Sequence, residues 1–495
     1  MNFLDKFFHY KEKGSSLKTE IIGGLVTFIA MCYILPLNAS ILSSMGMSRV
    51  GVFTMTALVS FLVTMIMALD AKYPIVLSTG MGLNAFVAYT LSNALFTSWQ
   101  QKLILLTISG LIFFVFSLTP VRKLIIESIP KDLKCVISAA LGSFILFVGL
   151  KNSGIVAPHP STLVSLGNLL NPAVLVGLLA ICLGVGLTFS KRKMISTLAI
   201  PISVLFAAVV GLVVSIILKE NGLLISTEAG WVYNFGENNP ITGAQAFLPI
   251  PPWYDSSLKF GLEVGEMKKV FMFGLLTEDY TGANFRDDIL HVVTTPASYV
   301  AIFSLIFVGL FDTTATLISI GDKTGLIDEN GEMKNYRKAV LADATGALIC
   351  APLGTSTVTS FAESNVGVSL GARTGLSAAV SAILFFLSVF IYPIFSIFTA
   401  GSVTVSALVL VGITIVIGAF KGINYKDPVN IFTAIFGVAF AVLTYSISNG
   451  IGVALIIYCL ILIFSRRAKE IPPVIGVIAS LFLVSFALNA VMQLL

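Results

Sequence analysis

The chain has 495 residues, of which 56% are hydrophobic and only 11% charged. A soluble domain keeps roughly 25% charge to solvate its surface, so a soluble enzyme or binding protein is excluded. The 30 Lys and Arg against 25 Asp and Glu give a net charge of +5, and no basic cluster is dense enough to follow a phosphate backbone, which excludes nucleic acid as a partner.

Residues 1–20 are rich in charge and read as a cytoplasmic N-terminus, without the pattern of a cleavable signal peptide. A helix needs about 20 apolar residues to cross the hydrocarbon. Runs near 21–37 and 52–69 qualify. They are followed by a shorter stretch rich in small and hydroxyl residues, Ser78 to Phe86. Further runs lie near 102–119, 135–150, 173–189 and 195–218. A polar, turn-rich insert over 219–294 follows; its composition suggests a partly ordered cap, with a solvated connector as the leading reading, and its apolar piece Val270–Leu276 is too brief to span. After it come runs near 296–320 and 339–353, a second short Gly/Ser/Thr-rich stretch from Gly354 to Glu363, and runs near 374–398, 402–420, 428–446 and 450–464. An extra apolar segment, 473–494, ends the chain and reads equally as a crossing or an interfacial helix.

Each short stretch is the third in a group of seven. Counting them as crossings puts the basic clusters Lys6–Lys18, Arg122–Lys134, Lys191–Lys193 and Arg466–Lys469 on one side, which makes the N-terminus cytoplasmic. The expected fold is thus an all-α polytopic membrane protein of about 14 segments arranged as two inverted seven-segment repeats. Paired interrupted segments in two halves point to a transporter's binding site near the midplane. By parity the insert is extracytoplasmic.

Three of the 25 acids lie inside apolar or site-like segments: Asp312, Asp343 and Glu363. An ionised acid at the bilayer centre costs about 2.5–3.5 kcal/mol on insertion scales, so such a group faces a cavity or a partner. None of the three histidines lies in a span, so a carried proton must ride on a carboxylate. Asp312 and Glu363 are the leading candidates. Asp343, near the start of its segment, reads equally as a helix-packing acid. Asn84 is the matching polar residue of the first short stretch, and its buried amide needs a partner from protein, water or ligand. Phe86, Phe311 and Phe361 can stack on a flat ring. The five cysteines all sit in apolar runs and suggest neither disulfides nor a metal site.

Gly80-Met81-Gly82-Leu83-Asn84-Ala85-Phe86, Leu310-Phe311-Asp312-Thr313-Thr314, Leu353 through Ser364, and Gly371-Ala372-Arg373-Thr374-Gly375-Leu376 follow in that order. Together they resemble the azaguanine-type hypoxanthine/guanine/adenine permeases of the nucleobase–cation symporter and nucleobase–ascorbate transporter (xanthine/uracil permease) family. The likeness runs over nearly the whole chain outside the insert. It implies short strands in the third and tenth segments, each followed by a half-helix, with the base between them. It implies a core domain built from 21–125 and 295–398, a gate domain from 133–218 and 400–464, and a tail over 465–495. It also implies substrate contacts from Glu363, Asp312, Asn84 and its neighbours Leu83 and Phe86, and the backbone near Phe361 and Ala362. Asp312, Glu363 and Asp343 are then the proton-coupling acids. Where that branch usually has Tyr and Ile, this chain has Phe361 and Ala362, which would widen the pocket or shift its purine preference.

The expected function is therefore import of a purine nucleobase (hypoxanthine, guanine or adenine) across the cell membrane by proton symport, with sodium as the alternative coupling ion and no cofactor. The expected partners are the base, the bilayer and a second copy in a homodimer. A transporter of xanthine, uracil or an anion on the same fold is the alternative reading. An enzyme would need a His, Cys or metal constellation in the membrane, and the sequence offers none.

Overall fold

The computed structural model describes residues 3–494 apart from 92–95, 120–129, 160, 193–194, 197, 228–229, 234–247, 252–259, 278–279, 325–334 and 362. Helices α1 (Phe3–Phe8), α2 (Leu17–Met31) and α3 (Ile34–Ser43) lead into α4 (Arg49–Ile66), which ends in a π-helical turn, Met67–Ala71. Strand β1 (Leu77–Thr79), α5 (Met81–Ala85) and a second π-helical turn, Phe86–Thr90, form a broken segment. Then come α6 (Trp99–Leu118), α7 (Lys131–Asn152), the hairpin β2 (Val156–His159) and β3 (Leu163–Leu166), α8 (Pro172–Thr188) and α9 (Ala199–Glu220). The insert holds β4 (Leu224–Thr227), β5 (Gly230–Tyr233), α10 (Val264–Val270) and α11 (Gly282–Thr294). The second half runs α12 (Pro296–Thr324), α13 (Tyr336–Ile349), the broken pair β6 (Val358–Ser360) and α14 (Ser364–Ser369), α15 (Gly375–Ser388), α16 (Tyr392–Ser396), α17 (Gly401–Gly422), α18 (Pro428–Leu443) and α19 (Ile447–Phe464). The tail is α20 (Pro473–Leu494), which packs on α19 and α12.

Local sequence sets these boundaries. Ser48, Ser98 and Ser446 cap α4, α6 and α19 by accepting a backbone N–H. Asn171-Pro172 and Asp427-Pro428 each pair a capping side chain with a proline whose missing N–H costs nothing at a helix start. Among the described residues seven helical spans are long and apolar enough to cross a membrane, with four shorter apolar helices beside them. On α9 the stripe Leu205, Val209, Val213 and Ile217 is 52–56% exposed. So large an apolar face in a folded chain calls for lipid.

The helices pack in two groups that alternate along the sequence. In one, α2 and α4 pack on α15 and α6 packs on α13. In the other, α7 packs on α17 and α18, α9 on α8 and α17, and α18 on α19.

The insert departs from the solvated connector expected of its composition. Trp231 and Leu248 join the buried cluster of Val174, Val405 and Val409, and Lys219 lies over the Trp231 ring at 5.3 Å. Further along, α10 packs on α4, Val270 is fully buried, and Gln101 Nε2 donates to Asp288 Oδ1 at 2.8 Å. Glu266 accepts from Ser48 Oγ and Lys269 Nζ. Partial burial raises its carboxyl, but those two donors outweigh the burial and hold it below its ordinary value. The aromatic and apolar residues dispersed among the prolines are what dock, a pattern that average polarity hides.

Glu20, which the sequence places among the N-terminal charges, is fully buried. Its two carboxylate oxygens accept from Arg373 N at 2.8 Å and Ser377 N at 3.2 Å, closing the exposed amides at the start of α15. Glu20→Ala strands both donors, each at about 1–3 kcal/mol. It is expected to lower the thermal unfolding midpoint of the detergent-purified protein by several degrees, whereas Glu20→Gln, which keeps one acceptor, loses less.

Candidate functional site

Two broken segments meet through their backbones. Strands β1 and β6 pair antiparallel, with Leu77 opposite Ser360, Ser78 opposite Thr359 and Thr79 opposite Val358. Gly80 N donates to Thr357 O and Phe361 N to Val76 O, both at 3.0 Å, which extends the ladder at its two ends. A two-stranded ribbon still leaves edges, and within lipid nothing but protein can satisfy them. Thr64 of α4 does this for β1. Its hydroxyl accepts from Leu77 N and donates to Leu77 O, each at 3.0 Å. Ser60, one helical turn earlier, bonds Ser78 Oγ at 2.8 Å. Val76 N donates to Ser364 Oγ at 3.0 Å, so strand one grips the tenth segment on both sides of Glu363.

Gly354 opens that segment at φ +84° with Val270 O 2.6 Å from where a Cβ would stand. Only glycine allows this backbone and this approach.

Glu363 stands at the start of α14, where Tyr33 OH donates to its Oε1 at 2.9 Å. Asn84 lies on α5, fully buried. Its Nδ2 donates to Asn38 Oδ1 at 2.7 Å. Asn84 Oδ1, Thr79 Oγ1 and Ser356 Oγ are buried without a hydrogen-bond partner, and all three belong to the broken segments. Buried orphans are rare in a folded protein, and each marks a place where a ligand or water can be bound.

Asp343 is not near the loop. It sits in the middle of α13, is 1% exposed, and accepts from Thr313 Oγ1 at 2.8 Å and Ser360 Oγ at 3.4 Å. It thereby ties α12, α13 and β6 together, and lines a narrow cleft with Ser109, Phe113 and Gly309. Leu83, Phe86 and Phe361 are all buried around the strand pair. Asp312 lies on α12, next to Thr313, but its side chain and that of Phe311, like the whole of Ala362, fall outside the described residues.

The sequence reading missed Tyr33, Asn38, Thr56 and Thr355. Asn38 bonds both threonines. In the sequence the first apolar run ends near residue 37, whereas the helix continues to Ser43. An amide inside an apolar helix was the available signal.

The chain is similar to known proteins over almost its full length. A family model, Xan_ur_permease, described as "Permease family", matches residues 18–442. The guanine/hypoxanthine permease PbuO of Bacillus subtilis (strain 168) is 35% identical, covering 96% of this chain and 99% of its own. PbuG of the same organism, also a guanine/hypoxanthine permease, is 33% identical over 97% and 98%. The adenine permease AdeP of Escherichia coli (strain K12) is 30% identical over 97% and 95%. In fold, the chain is similar to the transmembrane domain of the cyanobacterial bicarbonate transporter BicA, with a TM-score of 0.58 at 14% identity over 88% of this chain and 97% of that one.

The hydroxyl of Thr64 is the test of the edge-satisfaction argument. Thr64→Val keeps the shape and strands both polar groups of Leu77, at about 1–3 kcal/mol for each buried group left unpaired. Thr64→Ser keeps the hydroxyl. The valine variant is expected to unfold at clearly lower temperature and to exchange the Leu77 amide faster, while the serine variant stays close to wild type.

Proposed function

We propose that this chain, which belongs to the Permease family, imports a purine nucleobase across the cell membrane by proton symport with alternating access. The single observation that carries the reading is the pairing of β1 with β6, which joins two broken segments, one carrying a carboxylate and the other an orphaned amide oxygen. A purine is flat and edged with N–H donors that such acceptors can take. The names of the full-length relatives, guanine/hypoxanthine and adenine permeases, support the same class of substrate.

In this reading Glu363 holds the base from segment ten and Asn84 from segment three, with Leu83, Phe86, Phe361 and Ala362 shaping the pocket. Tyr33 occupies one oxygen of Glu363 and leaves the other to the substrate. Asp312 is the proton carrier and Asp343 a hydroxyl-bound acid that couples α12 to β6. The group built on α2, α4, α6, α13 and α15 serves as the core domain, and the group built on α7, α8, α9, α17, α18 and α19 as the gate against which it moves. The N-terminus is cytoplasmic and the insert faces outside.

The fold is shared with anion transporters, so an anion is the second reading. An anion asks for donors or a positive charge. Among the described residues the donors here are spent on one another, Tyr33 OH on Glu363, the Asn84 amide on Asn38 and the Asn38 amide on Thr56 and Thr355, and none of these partners is basic. That arrangement favours the base.

Uptake of labelled hypoxanthine, guanine, adenine, xanthine and sulfate by cells lacking their own permeases tests the class. Glu363→Gln is expected to weaken purine binding by about tenfold or more, as loss of a hydrogen bond to a charged group does. Binding within threefold of wild type overturns its role. In proteoliposomes, Asp312→Asn is expected to keep purine exchange by counterflow and to lose accumulation driven by a pH gradient. Wild-type uptake driven by sodium alone overturns the proton assignment.

A further inference from the structure

The four polar residues beside the broken segments have a fixed hydrogen-bond direction, and it can be counted. Thr56 Oγ1 lies 2.6 Å from Val52 O, 2.8 Å from Thr355 Oγ1 and 2.7 Å from the Asn38 amide. Thr355 Oγ1 lies 3.0 Å from the same amide. These are four contacts. A carbonyl accepts only, so the Thr56 proton goes to Val52 O, and Thr355 must then donate to Thr56. Both hydroxyl protons are spent.

The remaining two contacts are filled if Asn38 turns its NH2 toward the threonines, one proton for each. With the amide reversed, two protons would serve four oxygen–oxygen contacts, and two of those contacts would be bare repulsions in a dry interior. Which way a carboxamide points is a matter of its network, and here the network leaves one answer. Asn38 Oδ1 therefore faces Asn84, 2.7 Å away, and Asn84 must present its NH2. Its own oxygen is turned outward from the relay, fully buried and without a partner. The order runs from a helix carbonyl on α4, through Thr355 of segment ten, to the open acceptor of segment three.

We propose that Asn84 Oδ1 receives a ring N–H of the transported base, and that Asn38, held by Thr56 and Thr355, is the positioning residue that makes Asn84 an acceptor. This rests on the purine reading given above. It adds a specificity rule: the edge facing segment three must carry a donor. A base with an N-methyl group or a bare ring nitrogen at that edge meets an acceptor with nothing to give it, and a buried unpaired acceptor is costly.

The test is equilibrium binding to the full-length protein in detergent, using hypoxanthine and its N1-, N7- and N9-methyl derivatives. On wild type, at least one derivative is expected to bind about tenfold or more weakly than hypoxanthine. In Asn84→Ala that ratio collapses to within about threefold, because hypoxanthine has lost the acceptor that the derivative never used. Asn38→Leu frees the Asn84 amide to turn, and also collapses the ratio. Thr56→Val combined with Thr355→Val leaves Asn38 and Asn84 in place but removes the acceptors that fix the amide's direction, and is expected to collapse the ratio too, which a merely structural role for residue 38 does not predict. If all three derivatives bind wild type as hypoxanthine does, the inference fails on the wild-type protein alone, whatever the variants' folding. A methylation penalty unchanged in Asn84→Ala also overturns it, with purine transport left intact. Failure of wild type to bind hypoxanthine, guanine or adenine overturns the transport reading itself.

Discussion

Backbone polar groups at membrane depth have no water to bond, and this constraint organises the centre of the molecule. Helices escape it by bonding internally. The two broken segments cannot, so each uses the other: β1 and β6 exchange their ladder bonds, and Thr64 of α4 closes the outer edge at Leu77 while Ser60 ties down the Ser78 side chain. The rest follows. Because the strands pair antiparallel, the half-helices that continue from them, α5 and α14, leave the ribbon from its two opposite ends, with the strand pair fixed between their starts.

The first span then has a double duty. Tyr33 bonds Glu363 of the tenth segment, and Asn38, five residues on, bonds Asn84 of the third. Five residues of helix rise about 7.5 Å, so one helix touches both half-helices at separate heights. A shift of either broken segment relative to α3 breaks one of these bonds. The same helix pair also carries Glu20 at its cytoplasm-proximal end, in the reading proposed above, where the acid closes the start of α15. The first and eleventh segments are thereby locked to each other below the site.

On the opposite side the insert lies against both packed groups. Its first part is buried with Val174 and Val405, and its later part with α4 and α6. A loop that only connected two halves would not need Trp231, Val270 and Phe273 inside. These contacts give the insert a grip on both groups, and any motion of one group past the other has to work against it or carry it along.

Membrane residence, the spans, the two interrupted segments and the acids were legible in the sequence, because each depends on local composition: lipid selects apolar runs, and Gly, Ser and Thr betray a break. The resemblance added the strands, and their existence in the structure rests on the same Gly80 and Gly354 that made the stretches conspicuous. What tertiary structure alone decided is who bonds whom. Along the chain Asp343 sits near the start of an apolar run, whereas its hydrogen-bond partners are Thr313 and Ser360, 30 and 17 residues away. Glu20 looked solvated because its neighbours are charged, yet its partners lie more than 350 residues on. The direction of the Asn84 amide is the clearest case. No pattern of residue types encodes it, since it is set by the count of protons among Asn38, Thr56 and Thr355, and that count exists only once three distant stretches of chain have been packed against each other.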